Sequence, residues 1–401
     1  VDFKAIDAEK GVIEIKNKFL FDDLSEYELY WCQCSDKGVL REGTVDVKIK
    51  PGTKEIVDLE LNRITNTECY LNLAPRTKED NAWSKAGHIV AEEQFVINEF
   101  ENTYDELEPG EELVVADTYG SLRIFTEDIN IRFERRERNQ LYSVKVGGEE
   151  LLAAPVRLNF WRALTDNDRG SRAGSRLGCW RDAGNAPGIY NNTKFSIEGY
   201  KILENGKKVI VTCGATVCTQ PESKAIMIYT ITSNGIEVDM QFRAGEGLPE
   251  IPEVSMLFEL PGDFENITYL GAGPFENYID RKCAAQIGLY NDTVTNMYTD
   301  YLKPQECGNR TGVRYATLVG NKKAITFIAE PVMEFNASHY LPMQLENAWH
   351  KKELPQSDKT IVRVIARQQG VGGYDSWGAT CNELYMNKSD KLYRLKFQIR
   401  F

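Results

Sequence analysis

Residues 235–242 read GIEVDMQF, which puts Ile236, Val238, Met240 and Phe242 on one side of the chain. Alternation with a period of two is the pattern of a half-buried β-strand. The same period closes the chain in LYRLKFQIRF (392–401), where Leu395, Phe397, Ile399 and Phe401 share a face. It recurs near the start, with Val45, Val47 and Ile49 in TVDVKIK (44–50) and Val57, Leu59 and Leu61 in VDLELN (57–62). Helical periodicity is nearly absent. Only SRAGSRLGCWRDAG (171–184) and LENAWHKKEL (345–354) are predicted to hold short helices, and glycine interrupts the first.

The acidic stretch ENTYDELEPGEE (101–112) carries a Pro-Gly step that a strand does not readily continue through. It is read as a linker closing a first domain, 1–112, whose short strands and turn spacing match an immunoglobulin-like β-sandwich. Residues 113–401 are again strand-rich and too many for one small sandwich, so a large antiparallel two-sheet structure is expected. A (β/α)8 barrel needs eight strands alternating with amphipathic helices over about 250 residues. Nothing in the sequence alternates that way.

The 401 residues carry a formal charge of −12. That balance argues against nucleic acid, whose phosphates call for clustered Lys and Arg, and suits a neutral ligand such as a sugar. No apolar run approaches the roughly 20 residues of a membrane span, so no membrane partner is expected. The opening VDFKAIDAEK has neither a Met nor the shape of a signal peptide, as a domain cut from a longer protein would. Nine cysteines are scattered without a C-x-x-C pair, and most sit in apolar runs as buried thiols. This points to a reducing compartment, and a cytoplasmic location is expected.

Four polar islands interrupt the strands. FWRALTDNDRG (160–170) packs Arg162, Asp166, Asn167, Asp168 and Arg169 together. If the segment is extended, Asp166 and Asp168 share a face about 6.7 Å apart, within the roughly 5–9 Å of paired glycosidase carboxylates. The alternative is turn chemistry, with the carboxylates capping backbone N–H groups and the arginines as ion-pair partners. YLGAGPFENYIDR (269–281) offers Glu276, Asn277, Tyr278, Asp280 and Arg281 after a tight Gly-Pro turn; it lacks the third glycine and the helix of a dinucleotide site. YLKPQECGNRTGVRY (301–315) offers Gln305, Glu306, Asn309 and Arg310, planar groups that suit either sugar hydroxyls or loop scaffolding. GVGGYDSW (370–377) sets three glycines before Trp377, with Asp375 and Ser376 placed to lock the loop. Trp377 is either an indole presented to a ligand or a cap on the core. With only His88, His339 and His350, and no H-E-x-x-H spacing, no metal site is expected.

In this order the islands resemble the C-terminal part of the large bacterial β-galactosidases of glycoside hydrolase family 2. RALTDNDRG resembles that family's R-A-P-T-D-N-D-R-G, with Leu164 for proline. GAGPFENYIDR, PQECGNRTGVR and GVGGYDSWG are similar to G-x-G-P-x-E-N-Y-x-D-R, P-Q-E-x-G-N-R-x-x-V-R and G-x-G-G-x-D-S-W-G, with Tyr374 at a position often acidic. AWSKAGHIVAEEQF (82–95) resembles the family's final strand region of the preceding immunoglobulin-like domain.

The resemblance implies an all-β chain: an immunoglobulin-like sandwich followed by a supersandwich (113–401) similar to galactose mutarotases. It implies that the catalytic glutamates, with Mg and also Na as cofactors, lie in a barrel domain of the parent enzyme, with no catalytic residue, metal or cofactor in this chain. Trp377, with Asp375 and Ser376, would complete the aglycone side of a β-galactoside site. Arg162, Asp166, Asn167, Asp168, Arg169, Glu276, Asn277, Tyr278, Arg281, Gln305, Glu306, Asn309 and Arg310 would frame the loops beneath it. The implied partners are the barrel portion, the β-galactoside substrate and further copies of a homo-oligomeric parent. The chain alone is expected to be inactive. A stand-alone sugar mutarotase using His339 or His350, or a carbohydrate-binding module, is the alternative.

Overall fold

The computed structural model describes residues 1–64, 67–99, 105–135, 140–183, 193–375 and 377–401, and within them no α-helix exceeds six residues. The fold is all-β. It divides into two compact units, Val1–Thr103 with Gln286–Leu289, and Tyr104–Ala285 with Tyr290–Phe401. The division falls inside the acidic 101–112 stretch, of which 101–104 lie outside the described residues.

The first unit is a seven-stranded immunoglobulin-like sandwich. Its strands are β1 (Asp2–Asp7), β2 (Val12–Lys16), β3 (Tyr27–Ser35), β4 (Gly38–Asp46), β5 (Lys54–Asp58), β6 (Cys69–Thr77) and β7 (Glu93–Asn98). One sheet runs β1-β2-β5 and the other β4-β3-β6-β7. Ile13 and Ile15 from the first sheet meet Leu29, Trp31, Leu71 and Leu73 from the second in one core. Val47 and Ile49 belong to that core although their strand ends at Asp46, so the alternation of TVDVKIK outlasts its ladder.

In the second unit, a five-stranded meander from Val114–Asp117 to Glu149–Glu150 accompanies a 12-stranded antiparallel sheet. The two stretches most plainly alternating in the sequence pair with each other in that large sheet. Ile236 stands opposite Ile399, Val238 opposite Phe397, Met240 opposite Leu395 and Phe242 opposite Tyr393. All eight are buried, so one face of this ladder is continuous core. Phe133 of the meander meets Tyr229 of the large sheet edge-on, with ring centroids 5.2 Å apart, and joins the two sheets. The strand Ala324–Ser338 changes partner along its length: Thr326–Glu330 pairs with the C-terminal strand, and Glu334–Ser338 pairs with Lys359–Gln368. Pro331, with no N–H for a ladder, stands at the change.

The segment 171–184 holds the helices Ala173–Arg176 and Gly178–Ala183, parted at Leu177, with Gly174 inside the first and Gly178 opening the second. In 345–354 the helix lies earlier, at Pro342–Asn347, followed by a single 3₁₀ turn at Lys351–Glu353. Pro342 at the first helical turn sets that start. All nine cysteines are free thiols.

Candidate functional site

The four islands, far apart in the chain, meet around the backbone of 369–378. Arg162 is buried and donates from Nη1 to the Gln369 carbonyl (2.5 Å) and from Nη2 to the Gly370 carbonyl (2.9 Å). Asn167 donates from Nδ2 to the Val371 carbonyl (3.0 Å). Asp280 accepts the N–H groups of Val371 and Gly372, one on each carboxylate oxygen, both at 2.9 Å. Two glycines are required by space. A Cβ on Gly370 would stand 2.5 Å from Asp280 Oδ2, and Gly378, at φ +93°, lies so close that its Cβ would be 2.4 Å from the Gly170 carbonyl oxygen. The loop is thus gripped at carbonyls and amides from below.

Asp168 shows why Arg162 is held there. It accepts Nε (3.2 Å) and Nη2 (3.1 Å) of Arg162 and caps the N–H of Thr165. Thr165 caps Asp168 in return, a reciprocal box that starts the helix Asp166–Gly170. The extended reading of this stretch is therefore wrong. In a helix i and i+2 do not share a face: Asp168 is buried in an ion pair, and Asp166 is exposed, bonded to Arg169 (3.3 Å) and Gln305. Capping outweighed extension, and no carboxylate pair forms.

Beneath the loop lies a buried ionic network. Arg363 bridges Glu253 and Glu306, the latter at 2.6 Å, and Gln368 Nε2 donates to both carboxylates (2.7 and 3.1 Å). Asn159 and Ser255 complete Glu253, at 2.8 and 2.6 Å. Burial pushes the Glu306 carboxyl up, with Arg363 opposing. Burial also pushes the neighbouring carboxyl of Glu334 up, to about 7, against the Gln368 N–H and Asn309 Nδ2 that bind it.

The remaining motif residues tie loops to one another. Asn277 holds the Ala272 and Phe275 carbonyls and both donors of Thr311. Asn309 donates to the Asn277 carbonyl, and Arg310 to Tyr269 Oη and the Gly308 and Asn309 carbonyls. Glu276 gathers Arg281, Tyr301 and the Gly308 N–H. Tyr278 is buried, and Gln305, Glu306, Asn309 and Arg310 are buried and each hydrogen-bonded or ion-paired within the protein.

Trp377 is 93 % exposed, which excludes the core-cap reading. Asp375 Oδ1 accepts the N–H of Trp377 (2.9 Å) and of Ala379 (3.1 Å). The Ala379 and then the Trp377 amide hold its carboxyl below its ordinary range. Ser376 lies outside the described residues. An indole on a loop fixed in this way can stack on an apolar face at little entropic cost.

Reading the sequence missed Asp280, Arg363, Glu253 and Gln368 as supports of this loop. Asp280 stands inside YLGAGPFENYIDR (269–281), but nothing local shows that its carboxylate reaches backbone 91 positions onward. His339 is bound on both ring nitrogens, by Glu265 (2.8 Å) and the Lys359 carbonyl (3.1 Å), and His350 pairs with Glu353 at the surface. Among the described residues no group of three or more His, Cys, Asp or Glu could hold a metal ion, and no helix is long and apolar enough to cross a membrane.

Comparison with known proteins places these features in a family. Residues 126–399 match the family model of the β-galactosidase small chain, and residues 13–98 that of β-galactosidase domain 4. A β-galactosidase of Priestia megaterium is 32 % identical over 406 residues, covering 100 % of this chain and 38 % of the relative. One of Streptococcus thermophilus is 30 % identical over 98 % of this chain, again 38 % of its own length. The chain thus spans well under half the length of these relatives. Among solved structures, a galactose mutarotase-like protein of Lactobacillus casei aligns with 70 % of this chain and 99 % of its own (TM-score 0.39, 12 % identity). One of Clostridium acetobutylicum aligns with 72 % and 98 % (TM-score 0.41, 8 % identity).

Proposed function

This chain belongs to the β-galactosidase family, as a C-terminal portion of it, and from that premise we propose that it is the non-catalytic part that completes the aglycone side of a β-galactoside-hydrolysing site. The observation that carries the reading is Trp377: a large indole left almost wholly in water on a loop whose backbone is gripped by Arg162, Asn167 and Asp280. Leaving so large an apolar surface exposed on so constrained a loop suits a side chain whose partner is the sugar and whose setting is the rest of the enzyme. In this reading the acid/base and nucleophilic carboxylates, and the magnesium, belong to the barrel portion. Trp377 supplies stacking, and Asp375 sets the loop's shape.

Hydrolysis of a chromogenic β-galactoside by the chain alone, and mixed with a separately expressed barrel portion, tests this. The expectation is no turnover alone, turnover on mixing, and a roughly 10- to 30-fold lower kcat/KM with Trp377→Ala, the scale of one lost stacking anchor. Turnover by the chain alone, or a Trp377→Ala mixture as active as wild type, refutes the proposal.

A further inference from the structure

The helical segment 166–183 borders an open surface depression of about 640 Å³ whose lining includes Leu164, Arg169, Arg172, Ser175, Arg181 and Asp182. Three guanidinium groups stand against the lining carboxylate of Asp182 and that of Asp166, which pairs with Arg169, a surplus of one positive charge in a chain whose formal charge is −12. Such a concentration runs against the protein's overall sign.

The arginines are only partly paired within the protein, and Arg172 is exposed. Arg169 Nη2 is buried with no hydrogen-bond partner, and its Nη1 has only a long contact (3.3 Å) with the exposed Asp166. Arg172 enters no ion pair among the described residues, and its backbone sits at φ 58°, unusual for a residue with a side chain. Arg181 reaches Asp182 at 3.3 Å and lies 5.7 Å over the Trp161 ring. Arg176 is different: Glu250 neutralises it, and it does not line the depression. Desolvation, and then the Arg169 guanidinium, holds the nearby Lys303 ammonium below its ordinary range, with Asp166 opposing.

We propose that this depression binds a small phosphate ester. A carboxylate is satisfied by one guanidinium fork, whereas a phosphate carries about two charges and three acceptor oxygens and suits several arginines at once. A volume of about 640 Å³ lies within the roughly 300–1,000 Å³ of small-molecule sites. It leaves room for an organic portion beside the phosphate, against Leu164. The inference does not rest on the Trp377 reading, although the helix Asp166–Gly170 borders both sites.

Calorimetric titration of the intact chain tests it, with inorganic phosphate, a hexose phosphate and, at matched ionic strength, chloride. Saturable binding of both phosphates and none of chloride is expected, with the hexose phosphate several-fold tighter. Arg172→Gly suits the left-handed backbone, so it keeps the fold while removing a guanidinium; it and Arg181→Gln should each weaken binding about tenfold or more. Trp377→Ala should bind like wild type. No saturable phosphate binding, or undiminished binding by Arg172→Gly, overturns the site. A hexose phosphate bound no tighter than inorganic phosphate overturns the ester.

Discussion

Replacing Asp280 by Ala tests directly what holds the Trp377 loop. The substitution removes both acceptors of the Val371 and Gly372 amides, at 2.9 Å each. A hydrogen bond to a charged group contributes about 1.5–3 kcal/mol. Asp280 is half-buried, so water screens part of that, and the pair together is worth about 2–4 kcal/mol to the closed loop. Arg162 still grips the carbonyls of Gln369 and Gly370, so the loop should open locally while the sheets stay folded. Because every 1.4 kcal/mol is a factor of ten, amide hydrogen exchange over 370–378 should quicken roughly 30- to 700-fold. Exchange in the strands Gly235–Arg243 and Leu392–Arg400 should not change. Asp280→Asn, which keeps one acceptor oxygen, should fall between. Unchanged protection of Val371 and Gly372 would refute the claim that Asp280 fixes the loop.

Gly378→Ala forces a side chain onto φ +93° and against the Gly170 carbonyl; a loss of about 1–3 kcal/mol is expected in urea unfolding. Arg363→Met leaves Glu253 and Glu306 facing each other without their cation, and should cost about 3–5 kcal/mol by the same assay. For Glu334 the folded carboxyl is raised from 4.5 to about 7, so the native state holds the proton more tightly than the unfolded chain. Its contribution is complete below about pH 4.5 and lost as pH rises to about 7, a change of about 3 kcal/mol. Unfolding midpoints of wild type and Glu334→Gln between pH 4 and 8 should diverge by that amount in favour of the variant at high pH, and parallel curves would count against it.

Much of the fold was legible because strand periodicity is a local property. Ile236 to Phe242 and Leu395 to Ile399 announce their buried face within a few residues, wherever their partners lie. The reading of short strands before the acidic stretch rested on the same signal. The islands were legible as islands for the opposite reason: polar clusters interrupting that period. In 160–170 the capping alternative is the one the structure shows: the mutual bonds of Thr165 and Asp168 start a helix and the arginines pair with the carboxylates, so the extended pair does not form.

By itself the sequence determined an all-β chain, the four motif stretches and a lone indole behind three glycines, since each is written in neighbouring residues. Only the tertiary structure decided that Trp377 stands in water, that Asp280 and Arg162 hold its loop, and that Arg363 sits between two glutamates. It also decided that three arginines face one depression. Those facts rest on hydrogen bonds and ion pairs spanning from 57 to 208 positions, and on burial that depends on which strands curl around which. Neither is a property of any window of sequence.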